Sequence, residues 1–469
     1  MDRSRVVVIT AQTHTNTLHK KSHQNMDVVA MLNPMTKWNW SLRTSDSIPE
    51  ITRKAFKIAT EEKSGATHIE IPEDIMKQVS DKSPLPIQKL YRSRPNDELI
   101  KQAIITILDA KNPLILLGNG CIRENAVESV RKFVEKSGIC SINTFMGKGV
   151  VSDNHERHLQ TVGIKDVDYA QNAIKNSDVV ISIGYDLVEY FPQSWNPTLD
   201  KKIIHIDFTS AETDEHYPTD IELIGDIELT IESLLKQLET SKQENPTLDC
   251  YPCHKIPKIF EETRQEIMKR ITQFDNDLSY PINPEKLISN VRKTLSEHDI
   301  VISDVGVHKL WIAKIYQTYM PNTCLISNGF AAMGFSIPGA IAAQLVNPDK
   351  TIIAMCGDGS FLMNVQEIET AVRLKLPIII VVWCDAEYGL ISLKQKDEFG
   401  KKIFTGFNNP DFVKLAESFN AVGFFVDSTK QFSEALQKAK SYKDTPVIIA
   451  IPVDYSRNKD LLRKDVGLE

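Results

Sequence analysis

Thr351-Ile352-Ile353-Ala354-Met355-Cys356-Gly357-Asp358-Gly359-Ser360 is an apolar run that ends in a glycine-flanked aspartate. It reads as a buried strand over 351–355, a sharp turn, and the start of a helix over 361–373. A second apolar run, with a strand expected over 378–382, ends in Cys384-Asp385-Ala386-Glu387-Tyr388, so two strand ends each deliver an acidic residue, Asp358 and Asp385, twenty-seven positions apart. In open α/β sheets, ligands bind outside the carboxyl ends of the strands. Glycine lets the backbone turn sharply and approach a phosphate closely, and the following helix would offer free N–H groups and its positive dipole end. Magnesium takes one or two carboxylates together with substrate phosphates. This pattern points to a diphosphate held through a divalent cation. A lone Gly-Asp-Gly is often only a turn; the strand, the helix and the second acid one crossover later carry the reading.

Working outward, the chain alternates strands and helices almost throughout, which implies parallel sheets covered on both faces. At 469 residues it is too long for one core. Three doubly wound α/β domains are expected. Residues 1–80 would hold strands over 6–10 and 67–71 with a helix over 48–61, and the proline-rich stretch 81–97 reads as a linker. A central domain over 98–238 would carry strands over 113–117, 179–183 and 202–206, followed by a polar connector over 239–280. The third domain, 281–455, would carry strands over 300–303, 324–326, 351–355, 378–382, 423–426 and 447–451, before a tail over 456–469.

The bulk properties exclude several classes. Hydrophobic content of 42%, charged content of 25% and a net charge of −7 describe an ordinary globular chain with no footprint for nucleic acid or anionic membrane. No apolar run approaches a membrane span, and the first residues do not form a signal-peptide core, so a cytoplasmic location is expected. Seven cysteines, an odd number spread through a large chain, argue for reduced thiols. Cys250-Tyr251-Pro252-Cys253-His254 matches the haem-attachment pattern but sits in a polar connector without an export signal, and is read as coincidence. Gly118-Asn119-Gly120 follows a strand but lacks a third spaced glycine, so it reads as a structural turn rather than a dinucleotide fingerprint.

The acidic strand ends, with several further stretches, resemble the thiamine-diphosphate-dependent enzymes of the acetolactate synthase and pyruvate oxidase family, most closely its catabolic acetolactate synthases. The resembling stretches include Ser327-Asn328-Gly329-Phe330-Ala331-Ala332-Met333-Gly334, Gly184-Tyr185-Asp186-Leu187-Val188-Glu189-Tyr190, His205-Ile206-Asp207, His23-Gln24 and Ile451-Pro452-Val453-Asp454-Tyr455. The resemblance implies Mg²⁺ held by Asp358, Asp385 and the carbonyl of Glu387. It implies a diphosphate on Gly357, Gly359 and Ser360, with the loop containing Gly306 and His308 closing over it. The backbones of Ala331 and Met333 would meet the aminopyrimidine, and the Met333 side chain would bend the cofactor. Gln24, Tyr388, Ile391 and Lys394 would surround pyruvate. The implied reaction is decarboxylation of pyruvate and condensation with a second pyruvate to give 2-acetolactate, in a homodimer or homotetramer. FAD is not expected on the catabolic reading.

The sequence departs from the pattern at three places. Lys394 stands where catabolic members carry Gln, which weakens any inference about the acceptor. Cys384 replaces the first Asn of the family pair and is read as an inert buried thiol. The third departure concerns a glutamate, carried early in the family's first domain, that bonds N1′ of the aminopyrimidine. Asp2-Arg3-Ser4-Arg5-Val6 resembles a stretch beyond it, so the first domain is expected to be incomplete and turnover by this chain alone impaired. Two alternatives follow: a pyruvate oxidase or other 2-oxoacid decarboxylase, or a non-enzymatic cofactor-binding remnant that partners a complete paralogue.

Overall fold

The computed structural model describes residues 1–88, 91–163, 169–244 and 256–458. Cys250, Cys253 and His254 lie outside the described residues. The chain forms two compact units, Met1–Ser93 and Arg94–Glu469.

In the first unit β1 (Val7–Gln12), β2 (Trp38–Ser41) and β3 (Thr67–Pro72) form a parallel sheet in the order β1-β3-β2. Helix Ile48–Thr60 begins with proline in its first turn and spaces Ile48, Ile51, Ala55 and Ala59 along one face. That face packs with Leu42, Ile69 and Ile75 into a small core. The sequence pattern missed β2, although Trp-Asn-Trp-Ser alternates with the period of a half-buried strand.

The second unit contains two six-stranded parallel sheets. The central one is built from β4 (Pro113–Leu117), β5 (Cys140–Asn143), β6 (His158–Thr161), β7 (Val179–Ile183), β8 (Lys202–Asp207) and β9 (Ile221–Ile224), ordered β6-β5-β4-β7-β8-β9. The other uses β10 (Ile300–Ser303), β11 (Cys324–Ile326), β12 (Ile352–Gly357), β13 (Ile379–Cys384), β14 (Val422–Phe425) and β15 (Val447–Pro452), ordered β11-β10-β12-β13-β15-β14. Helices cover both faces, so central strands are apolar on both sides; Ile379 to Trp383 are all fully buried. One continuous apolar core joins the two sheets, running from Leu116 and Ile142 through Trp311 to Ile353 and Val381. The connector expected over 239–280 contains a helix, Lys258–Thr272, whose sparse apolar face buries Phe260, Ile267 and Ile271.

In each of these sheets the chain first winds outward in one direction and then returns to wind in the other. The reversal falls between β10 and β12 in the third sheet, and between β4 and β7 in the central sheet. A crevice forms at such a point because the connections on either side leave in opposite directions.

One expectation needs correction. The helix expected over 361–373 is interrupted: Asp358–Phe361 forms a single turn, and a second helix, Glu367–Arg373, begins after it. At the break the Asn364 side chain donates to the carbonyl of Gly334, thirty residues distant, at 2.8 Å. A single turn carries no useful macrodipole, so the dipole contribution anticipated at the Gly-Asp-Gly turn is withdrawn. Among the described residues no helix is long and apolar enough to cross a membrane.

Candidate functional site

The crevice between β10 and β12 opens into a cavity of about 240 Å³. It is lined by Gly306 and His308 after β10, by Ala331 and Met333, by Gly357 to Ser360 after β12, and by Asp385, Glu387, Tyr388 and Ile391 after β13. Neighbouring parallel strands put these segments side by side: Gly357 pairs with Trp383, so the residues that follow each leave the sheet together.

Asp358 organises the floor. It is 1% exposed. Its Oδ1 accepts from the backbone N–H of Gly359 at 2.8 Å. Its Oδ2 accepts from the N–H groups of Asp385 at 3.0 Å and Ala386 at 2.7 Å, and from Asn409 Nδ2 at 2.7 Å. The carboxylate of one strand end therefore clamps the backbone of the next. Ala386 adopts a left-handed φ of +56°, which turns the chain back toward the cavity. Asp385 is pushed up to about 7, by burial first and by the charge of Asp358 second. The charge of Asp358 adds to the cost of ionising the partly buried Asp385, a cost that a bound cation would relieve.

The glycines are required by close approach. Gly306 has φ +150°, and a Cβ there would come within 2.8 Å of the His308 ring; a Cβ on Gly357 would stand 3.2 Å from the same ring. His308 is packed against both turns, with its Nε2 buried and without a hydrogen-bond partner among the described residues. Burial pushes this imidazole down to about 4 against the opposing pull of Asp304, so it is neutral at physiological pH.

Asp304 entered the sequence reading only as the first residue of the loop Asp304–His308, without a role of its own. Fully buried at the end of β10, it accepts from the N–H groups of Val305 at 2.8 Å, Gly334 at 2.9 Å and Ser336 at 2.8 Å. It thereby ties the 331–334 turn, which carries Met333, to the third sheet. The Met333 side chain is about one-third exposed and faces the cavity.

The remaining candidates fall into three groups. The carbonyl of Glu387 accepts from Gly389 N–H at 2.9 Å, and its side chain turns away to Lys402 Nζ at 2.6 Å and Thr405 Oγ1 at 2.8 Å. Tyr388 and Ile391 line the cavity, whereas Lys394, one turn further along helix Gly389–Phe399, is exposed and does not. Gln24 belongs to the first unit, where it is exposed with φ +54°. Cys384 donates weakly to the Val382 carbonyl, and burial together with Asp358 raises its thiol far above the ordinary range, in keeping with an inert role.

The donor set suits the group that the sequence implies. Among the described residues no three His, Cys, Asp or Glu side chains gather as a metal cage. Two acidic side chains and one carbonyl would leave the other positions of an octahedral cation to phosphate and water, as magnesium prefers. The orphaned Nε2 of His308 and the glycine turns provide an anion-sized approach on the same wall.

The chain is similar to known thiamine pyrophosphate enzymes. The model described as "Thiamine pyrophosphate enzyme, central domain" matches residues 100–234, and "Thiamine pyrophosphate enzyme, C-terminal TPP binding domain" matches 304–451. An acetolactate synthase of Bacillus subtilis (strain 168) is 33% identical over 463 residues, 96% of this chain and 78% of the relative. A probable acetolactate synthase large subunit of Methanococcus aeolicus is 32% identical, over 97% of this chain and 78% of its own length. A catabolic acetolactate synthase of Raoultella terrigena is 30% identical, over 94% and 78%.

Proposed function

We propose that this chain, which belongs to the acetolactate synthase family of thiamine pyrophosphate-dependent enzymes, joins two pyruvates into 2-acetolactate at the β10–β12 crevice. The balance is two pyruvate anions and one proton giving one 2-acetolactate anion and CO₂. The observation that carries the reading is the clustering, around one cavity at a strand-order reversal, of Asp358, Asp385, the Gly357–Ser360 turn and Met333.

In this reading Mg²⁺ is held by the Asp358 and Asp385 side chains and the Glu387 carbonyl. Gly306, His308, Gly357, Gly359 and Ser360 receive the diphosphate, while Ala331 and Met333 receive the aminopyrimidine. Bound thiamine diphosphate supplies the electron sink that lets a 2-oxoacid lose CO₂. The protein's part is position and polarity. Asp304 fixes the height of Met333 over the floor, neutral His308 offers a hydrogen bond without a competing charge, and Tyr388 and Ile391 cover the side from which pyruvate would arrive.

The central domain is proposed to hold no flavin. Backbone packing at its own crevice supports this: a Cβ on Gly118 would lie 2.2 Å from the Gly184 carbonyl oxygen. The glycines there meet another turn instead of leaving room for a pyrophosphate.

The test is incubation of the purified protein with pyruvate, Mg²⁺ and thiamine diphosphate, following CO₂, oxygen and acetolactate together. Acetolactate without oxygen uptake is expected. CO₂ without acetolactate would assign a simple decarboxylase, oxygen uptake with bound flavin an oxidase, and no cofactor binding a non-enzymatic partner.

A further inference from the structure

Beyond the cavity wall, residues 402–411 run as a strap along the 385–388 turn. Tyr388 N–H donates to the Thr405 carbonyl at 2.8 Å, and Phe407 N–H donates to the Ala386 carbonyl at 3.0 Å. Glu387 and Gly406 form an antiparallel bridge, and the Tyr388 and Phe407 rings lie 5.0 Å apart. At its far end the strap places Asn409, whose Nδ2 donates to Asp358 Oδ2 at 2.7 Å across fifty-one residues of sequence. The other end of this amide, Oδ1, is buried and accepts nothing from the described residues. An unsatisfied buried acceptor is unfavourable, so the side chain keeps this orientation because its donor end is held.

We infer that Asn409 is a positioning residue for the cation: it completes the donor set on Asp358 Oδ2 and so leaves Oδ1 as the oxygen free to meet Mg²⁺. The arithmetic of lone pairs supports this division. Oδ2 takes three donors, the N–H groups of Asp385 and Ala386 and the Asn409 amide, whereas Oδ1 takes only Gly359 N–H. A carboxylate locked through one oxygen cannot rotate, and partners that lock metal-ligating carboxylates typically govern affinity by 10–100-fold. Because the strap also binds the backbone of Ala386 and Tyr388, on either side of Glu387, Asn409 couples the position of the strap to the ligand geometry. The inference rests on the assignment of Asp358 as a cation ligand.

The experiment is calorimetric titration of Mg²⁺ into the full chain with saturating thiamine diphosphate, on the parent protein, Asn409→Ala and the near-isosteric Asn409→Leu. The thermal midpoint of each is measured first without metal. Expected is a Mg²⁺ dissociation constant raised about tenfold or more in both variants, with metal-free midpoints close to that of the parent. Asn409→Ser, which keeps a short donor, is expected to recover part of the affinity. Should Asn409→Ala fold poorly, Asn409→Leu preserves side-chain volume and gives the same readout. Variants that bind Mg²⁺ within twofold of a parent that does bind would overturn the inference and leave the site assignment standing. A parent that binds neither Mg²⁺ nor the cofactor would overturn both.

Discussion

The second unit contains two parallel sheets, each with a reversal of strand order and glycine turns at the carboxyl ends of the flanking strands, yet only one of the two crevices is arranged as a site. Between β4 and β7 the turns close on each other. Gly120 N–H donates to the Gly184 carbonyl at 2.8 Å, and a Cβ on Gly120 would fall 2.6 Å from Gly184 Cα. Glu189 seals the gap, accepting from Thr144 Oγ1, from Asn119 N–H at 3.2 Å and from Asp186 N–H at 3.3 Å. Between β10 and β12 the equivalent acceptors, Asp304 and Asp358, pull loops outward to the rim and a cavity remains. The same topology supplies a crevice in both places. What fills it depends on whether a buried carboxylate binds the two turns to each other or binds each to its own side.

The largest expected effect is at the open crevice. Asp358→Asn is expected to lower Mg²⁺ and thiamine diphosphate affinity by about a hundredfold or more, measured by calorimetry, and to abolish acetolactate formation. A variant that still binds both would remove the distinction between the crevices.

At the closed crevice the expected effect is on stability and depends on pH. Burial pushes the Glu189 carboxyl up to about 7 from an ordinary 4.5. Below pH 4.5 both folded and unfolded chains hold the proton and there is no penalty. Between 4.5 and about 7 the unfolded chain loses it first, so stability falls as pH rises, and above 7 the full penalty remains. Glu189→Gln stays neutral throughout, so above pH 7 it should be more stable than the parent, by an amount of order 3 kcal/mol at most. Denaturant titrations at pH 4 and pH 8 check this, and equal behaviour at both would contradict it.

A matched pair of substitutions sharpens the contrast further. Gly120→Ala must displace backbone and should cost about 1–3 kcal/mol, read as a lower denaturation midpoint. Gly359→Ala meets the movable ring of Tyr388 at 2.9 Å, so the chain should keep its midpoint and lose cofactor affinity instead, by about tenfold. Exchanged outcomes would mean that the open crevice is the structural one. The smallest effect is expected for Lys394→Gln, which lies outside the cavity lining: cofactor affinity should stay within about twofold, as for surface changes in general, with any change confined to the pyruvate dependence of the rate.

Much of this was legible beforehand, and the exceptions share a cause. β4, β7, β10 and β11 read correctly because largely buried parallel strands leave short apolar runs bounded by turn residues. β2, β5, β6 and β9 were missed because each has only four residues and carries polar groups among them; β6, His-Leu-Gln-Thr, is buried entirely yet shows no apolar run. The interruption after Phe361 was invisible because Asn364 is drawn away by Gly334, thirty residues distant. Most of the cofactor candidates named from the motifs line one cavity; Lys394 lies outside that lining, and Gln24 belongs to the first unit. Asn409 went unnoticed, and the clamping role of Asp304 with it, for the same reason as Asn364: their partners are remote, and no local pattern distinguishes a clamp from an ordinary polar residue.

By itself the amino-acid order determined the alternation of strands and helices, the two acidic strand ends and the glycines beside them, because periodicity and turn chemistry act over a few neighbouring residues. Only the tertiary structure decided which crevice stays open, how Asp358 divides its two oxygens between backbone and cavity, and which distant side chains hold it there. Those outcomes depend on hydrogen bonds between segments twenty-seven to fifty-one residues apart, and such bonds acquire their geometry when the sheets close.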